Sequence, residues 1–82
     1  MKITLIGKPG CHLCDDALET MKEIVSQTHI DVEWEVLSIL EDDELKNRYS
    51  EEIPVIKIND QVHDIFRVDP ERFRKALLLD IG

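Results

Sequence analysis

The sequence predicts an α/β fold in which a mixed four-stranded sheet carries helices on both faces, with its elements in the order βαβαββα. Apolar runs of strand length alternate with apolar stripes at helical spacing, and a short polar turn separates the last two strands. The chain has 82 residues, of which 43% are hydrophobic. That size suits one modest core, so residues 1–82 are expected to form a single domain.

The first strand is predicted over Lys2 to Gly7, where apolar residues on both faces indicate burial within the sheet. Pro9 and Gly10 then interrupt the pattern. Steps of three and four residues place the next apolar side chains on one face of a helix. This stripe consists of Cys14, Ala17, Leu18, Met21, Ile24 and Val25.

The second strand alternates Val32, Trp34 and Val36 with acidic residues, which predicts one buried face and one charged face. A charged outer face suits an edge strand or a side open to water. Because a helix joins the first two strands, we expect them to run parallel with a right-handed crossover. The aromatic residues expected in the core are Trp34, Tyr49, Phe66 and Phe73.

A short helix and a hairpin follow the second strand. Asp42 or Asp43 can cap a helix that runs to about Tyr49. Beyond it, Val55–Ile58 and Val62–Phe66 flank a polar three-residue turn. That pattern predicts two antiparallel strands, so the sheet as a whole is mixed.

A last helix is predicted to begin at Asp69 and Pro70, since an N-cap aspartate followed by proline is typical of a helix start. Its apolar face should pack on the sheet. The residues of that face are Phe73, Ala76, Leu77 and Ile81.

Acidic residues outnumber basic ones in this chain. Lys and Arg total 10 and Asp and Glu total 18, which gives a net charge of −8. Without a basic patch, binding to nucleic acid is not expected. No apolar run approaches the length of a membrane helix, and the first apolar stretch is too short for a signal peptide. We therefore expect a cytoplasmic monomer without membrane contact.

Two cysteines, Cys11 and Cys14, lie three residues apart where the first strand gives way to the helix. Thiols at this spacing can close a small disulfide ring, and the unpaired N–H groups of a helix start favour the thiolate form of Cys11. Cys14 belongs to the apolar stripe and should be buried, whereas Cys11 precedes the stripe and should be accessible. Thiol–disulfide exchange needs this asymmetry, in which an accessible thiol attacks and a buried thiol is its partner.

With this motif and element order, the chain resembles the glutaredoxin-like branch of the thioredoxin-fold superfamily over nearly its whole length. The segment Lys8-Pro9-Gly10-Cys11-His12-Leu13-Cys14 looks like the family's redox loop, in which a lysine commonly precedes the first cysteine by three residues. Ile53-Pro54-Val55 looks like the segment that carries the family's cis-proline, which faces the disulfide. The resemblance implies a thiol–disulfide oxidoreductase with Cys11 as nucleophile and Cys14 as resolving thiol.

Charged residues around Cys11 are expected to tune its reactivity. Lys8 adds a positive charge nearby. By resemblance, His12 and Leu13 occupy the two positions that tune the redox motif, and a protonated His12 would stabilise the thiolate and make the protein more oxidising. Asp15 and Asp16 oppose this effect. We expect the pKa of Cys11 to lie below that of a free thiol, but less so than in a strongly oxidising relative.

Substrate contacts are expected from Leu13, as an apolar contact, and from Ile53 and Pro54. By resemblance, Pro54 presents its neighbours' backbone to an extended substrate, and Ile53 offers N–H and C=O groups. Glutaredoxins usually have proline and tyrosine between the cysteines, threonine and valine before the cis-proline, and a glycine pair after the hairpin that accompanies glutathione binding. This chain has none of these features, so the thiol chemistry carries over and the glutathione site does not.

No tightly bound cofactor is expected. The substrate would be a disulfide-containing protein or a small-molecule thiol, with glutathione or a reductase as the electron donor. The alternative is a binding module in which the thiols ligate an iron–sulfur cluster or metal between subunits. His29 and His63 lack ligand-like spacing relative to the cysteine pair, so we expect them at the surface rather than in a zinc site within the monomer.

Overall fold

A computed structural model describes residues 1–81, with side chains through residue 79. The elements are β1 (Lys2–Gly7), α1 (His12–Thr28), β2 (Glu33–Ser38), α2 (Asp43–Tyr49), β3 (Val55–Ile58), β4 (Gln61–Ile65) and α3 (Pro70–Ile81). They confirm the predicted α/β class and the order βαβαββα. The side chain of Ile81, expected on the buried face of α3, lies outside the described residues.

The four strands form one mixed sheet in the order β2-β1-β3-β4. The first strand, β1, pairs in parallel with β2 and antiparallel with β3, and β3 pairs antiparallel with β4. Both predicted pairings are thus confirmed, and β2 lies at an edge, as its charged face predicted. A central position explains why β1 is apolar on both faces.

Helices cover both faces of the sheet, as predicted. On one face, α1 and α3 pack on β1 and β3 around a core that includes Met21, Phe73 and Leu77. On the other face, Tyr49 of α2 packs with Ile6 and Val55. Phe73 and Tyr49 are both buried, which confirms their predicted place in the core.

Local signals in the sequence explain where the elements begin and turn. The Asp42 carboxylate accepts hydrogen bonds from two backbone N–H groups at the start of α2, and Asp69 caps α3 in the same way. Asn59 and Asp60 join β3 to β4 with φ angles of 50° and 69°. These two residue types tolerate the left-handed conformation that a tight hairpin requires.

The edge position of β2 corrects one prediction about its apolar face. Trp34 is partly buried against the core, and the Lys22 ammonium lies 5.9 Å from the centre of its ring. Val36 was expected to be buried and is instead 60% exposed. An edge strand has a neighbouring strand on one side only, so alternation alone does not ensure burial along its whole length.

Within residues 1–81, no helix is both long and apolar enough to cross a membrane.

Candidate active site

Cys11 and Cys14 form a disulfide at the start of α1, with their Cα atoms 5.2 Å apart. Cys11 is the N-cap of the helix, and its Sγ accepts a hydrogen bond from the backbone N–H of Cys14 at 3.1 Å. A sulfur thus occupies the position where an oxygen usually satisfies the first unpaired N–H groups of a helix. Cys14 is 4% exposed and Cys11 is partly exposed, so the expected asymmetry between the two thiols is present.

Gly7, the last residue of β1, lies directly against the buried sulfur. A Cβ atom added to Gly7 would come within 2.6 Å of the Cys14 Sγ and 3.1 Å of the Cys14 Cβ. Only a residue without a side chain allows the strand to approach the sulfur this closely. Sequence reasoning missed this contact because nothing local in the chain signals it.

The peptide bond between Ile53 and Pro54 is cis, as the resemblance implied. The antiparallel register pairs Ile6 with Val55, and continuing it by one residue on each strand places Pro54 opposite Gly7. Pro54 and the disulfide therefore lie at the same end of the two central strands, β1 and β3. Among the described residues, the backbone N–H and C=O of Ile53 have no hydrogen-bond partner.

Two hollows flank the redox loop. One, of about 290 Å³, runs beside Cys14, and Lys8, Asp15 and Glu41 are among its lining residues. The structure thus places Lys8 on the side of the buried cysteine. His12 is exposed and Leu13 is 57% exposed, between the two cysteines in sequence.

The second hollow, of about 90 Å³, lies between Leu13 and Arg67, the residue that follows Phe66. Phe66 was expected in the core and is instead 50% exposed. The chain adopts a left-handed backbone conformation there, with φ of 69°, and the Phe66 N–H donates to the Pro54 carbonyl at 2.8 Å. That change of direction at the end of β4 turns the ring away from the core.

His63 also differs from its prediction. It was expected at the surface, but it is partly buried, its ring lies edge-on to Phe73, and its Nε2 is buried without a hydrogen-bond partner among the described residues. Burial lowers the pKa of His63 from its ordinary value of 6.5, and the Arg72 guanidinium adds to this effect. Asp64 and Asp69 oppose it without reversing it.

We expect His63 to make the folded state less stable at mildly acidic pH. The pKa of His63 is lower in the folded than in the unfolded chain. Its contribution to the free energy of unfolding is therefore complete above its pKa in the unfolded chain, and it is lost as the pH falls from there through its pKa in the folded chain. The free energy of unfolding in urea should therefore decrease as the pH falls through 6.5, the ordinary pKa of His63. The decrease should be smaller in His63→Gln and unchanged in His29→Gln, whose histidine is exposed. An equal decrease in both variants would contradict this assignment.

Among the described residues, no group of three or more His, Cys, Asp or Glu side chains is arranged to hold a metal ion.

A scan of family models matches residues 2–78 to the glutaredoxin-like domain (DUF836). No curated protein matches the chain. Among solved structures, the X-ray structure of XcR50 from X. campestris, a structural genomics target, is 26% identical, covers 98% of this chain and 97% of its own, and superposes with a TM-score of 0.69.

Two further structures show the same fold at lower identity. NrdH-redoxin from Escherichia coli, a glutaredoxin-like protein with a thioredoxin-like activity profile, is 18% identical, covers 92% of this chain and 93% of its own, and has a TM-score of 0.65. Thioredoxin 1 from Thermosipho africanus is also 18% identical, with full coverage of both chains and a TM-score of 0.60. These likenesses confirm the predicted thioredoxin-like fold.

Proposed function

Because the chain belongs to the glutaredoxin-like domain family, we propose that it is a thiol–disulfide oxidoreductase that reduces disulfides or mixed disulfides. The fold and the cysteine pair support a redox role in general. The observation that carries the specific proposal is the Cys11–Cys14 disulfide at a helix start, with one sulfur buried and the other partly exposed.

In the first step, the thiolate of Cys11 attacks a substrate disulfide. A mixed disulfide forms between Cys11 and one substrate sulfur, and the other substrate sulfur leaves as a thiolate. The N–H of Cys14, which donates to the Cys11 sulfur in the disulfide, is placed to donate to the thiolate as well. The positive end of α1 favours the same charged form.

In the second step, Cys14 resolves the mixed disulfide. Its sulfur attacks the Cys11 sulfur, the proton of its thiol passes to the departing substrate sulfur, and the Cys11–Cys14 disulfide forms. The substrate gains two electrons from the protein and one proton from the Cys14 thiol. The thiolate released in the first step takes its proton from solvent, to which Cys11 had given up its own. Glutathione or a reductase then restores the dithiol, so the cycle needs no tightly bound cofactor.

The segment that carries Pro54, just before β3, offers a docking place for the substrate backbone. Since the N–H and C=O of Ile53 have no partner among the described residues, an extended segment can bond to both, as an added strand does. This geometry suits a protein disulfide in an extended segment, and it also admits a small disulfide.

A single-turnover reaction tests this function without the unknown electron donor. Fully reduced protein mixed with an equal amount of bis(2-hydroxyethyl) disulfide should lose both thiols, while the disulfide is converted to two molecules of mercaptoethanol. Mass spectrometry of the alkylated products counts the thiols on each side. Protein alkylated beforehand at both cysteines serves as the control. If the reduced protein keeps its two thiols while the small disulfide stays intact, the proposal is wrong.

A further inference from the structure

Leu13, Phe66 and Arg67 are each connected to the redox loop or to the Pro54 segment. Leu13 lies between the two cysteines in sequence, Arg67 lines the same hollow as Leu13, and the Phe66 N–H donates to the Pro54 carbonyl. We call these three residues the Leu13–Arg67 surface. Leu13 and Phe66 are 57% and 50% exposed, and Arg67 is exposed. Leu13 and Arg67 both line the hollow of about 90 Å³. Two exposed apolar residues and an exposed arginine are thus connected to the redox loop and to the Pro54 segment.

The exposure of Phe66 is fixed by its backbone. A left-handed φ of 69° is uncommon for a bulky residue and costs free energy, so it persists only where neighbouring structure enforces it. Here the hydrogen bond from the Phe66 N–H to the Pro54 carbonyl enforces it. That bond also joins the Phe66 backbone to the segment in which the N–H and C=O of Ile53 have no partner among the described residues.

The charge of Arg67 is not neutralised within the described part of the chain. Arg67 makes no ion pair there, although Asp16 lines the same hollow and the protein carries a net charge of −8. The Asp16 carboxylate weakens the local positive potential without forming a direct contact. A carboxylate from a partner is therefore the group that Arg67 is placed to bind.

We propose that the Leu13–Arg67 surface selects protein disulfides in which an apolar side chain and a carboxylate flank the reacting cysteine. The apolar side chain packs on Leu13 and Phe66, while the carboxylate pairs with the Arg67 guanidinium. This inference rests on the proposed function and names its substrate class. Glutathione supplies carboxylates but no apolar side chain, so it fits this surface in part only.

Three model peptides test the carboxylate preference. Each contains a leucine next to a cysteine, and the cysteine forms a mixed disulfide with mercaptoethanol. The peptides differ only in the residue on both sides of this leucine–cysteine pair, which is glutamate in the first, glutamine in the second and lysine in the third. Single-turnover rates with reduced protein should favour the glutamate peptide over the glutamine peptide by about two- to fivefold at low salt. The lysine peptide should react most slowly, and added salt should reduce the differences.

Arg67→Gln should remove this preference, so that the glutamate and glutamine peptides react at equal rates. Lys75→Gln is the matched control, because it removes one positive charge at an exposed site on α3 that lines a different groove. It should keep the ratio of the two rates as in the parent protein. Asp16→Asn should increase the ratio, since it removes the carboxylate that shares the hollow.

Phe66→Asn tests the apolar contact, because asparagine tolerates the left-handed conformation while it lacks the ring. We expect the rates of all three peptides to fall by about fivefold or more, with bis(2-hydroxyethyl) disulfide unaffected. Val62→Asn, which changes an exposed apolar residue of β4 that does not belong to the Leu13–Arg67 surface, should leave all rates unchanged. Urea unfolding of each variant confirms that folding is intact.

The outcomes separate this inference from the function on which it rests. Equal rates for the glutamate and glutamine peptides in the parent protein, or the same loss of preference in Lys75→Gln, would overturn the role of Arg67. A glutathione mixed disulfide that reacts faster than the glutamate peptide, with the same dependence on Phe66, would overturn the choice of a protein substrate. Failure to reduce any disulfide, including the small one, would instead contradict the proposed function.

Discussion

Cys11→Ser is expected to abolish disulfide reduction, with a loss of roughly three orders of magnitude or more, because the remaining thiol, Cys14, is buried and lacks a partner thiol with which to form the product disulfide. Cys14→Ser should still attack substrate disulfides once, since Cys11 keeps its place at the helix start. It should then stop at the mixed disulfide, because the resolving thiol is absent.

Mass spectrometry distinguishes these two results directly. After exposure to a small disulfide, Cys14→Ser should carry one substrate thiol on Cys11, and Cys11→Ser should stay largely unmodified because Cys14 is buried. A mixed disulfide that accumulates on Cys14 in the Cys11→Ser variant, at a rate like that of Cys11, would reverse the roles of the two cysteines.

Gly7→Ala is expected to make the Cys11–Cys14 couple more oxidising. The new methyl group would lie 2.6 Å from the Cys14 Sγ, which the disulfide holds in place. In the reduced protein the Cys14 thiol can rotate away, so the crowding penalises the oxidised state more. Overpacking of this kind costs about 1–3 kcal/mol. Borne by the oxidised state alone, this cost corresponds, for a two-electron couple, to a rise in reduction potential of about 20–60 mV, which is therefore the upper limit of the effect.

Gly10→Asn provides the matched control for this change. It also replaces a glycine of the redox segment, but a Cβ atom there meets no other atom within 4 Å, and asparagine tolerates the positive φ of 78°. Its potential should stay close to that of the parent protein. Equal potentials for Gly7→Ala and the parent, measured against dithiol buffers, would show that the β1 backbone does not constrain the buried sulfur.

Features set by local sequence signals could be predicted. Asp42 and Asp69 cap their helices, the hairpin turns between β3 and β4, and Cys14 is buried while Cys11 caps α1. Each of these depends on residues within a few positions of one another, so spacing and residue type carry the information. The resemblance to glutaredoxin-like proteins added the cis bond before Pro54, which composition alone would not suggest.

The features that sequence reasoning missed depend on contacts between distant segments. Phe66 is exposed because its N–H bonds to Pro54, and His63 is partly buried because its ring packs against Phe73 of α3. The approach of Gly7 to Cys14 joins the end of one strand to a sulfur on the following helix. Periodicity within a single element contains no signal for such contacts, since the pattern of each strand is compatible with several arrangements of its neighbours.

The reduction potential of the Cys11–Cys14 couple tests the proposed function most directly. Equilibration against dithiol buffers, followed by alkylation and thiol counting, measures it without knowledge of the substrate. We predict a value between about −180 and −270 mV, the range in which proteins that catalyse thiol–disulfide exchange operate. A value below about −300 mV would mark the disulfide as an inert structural bond and contradict the account.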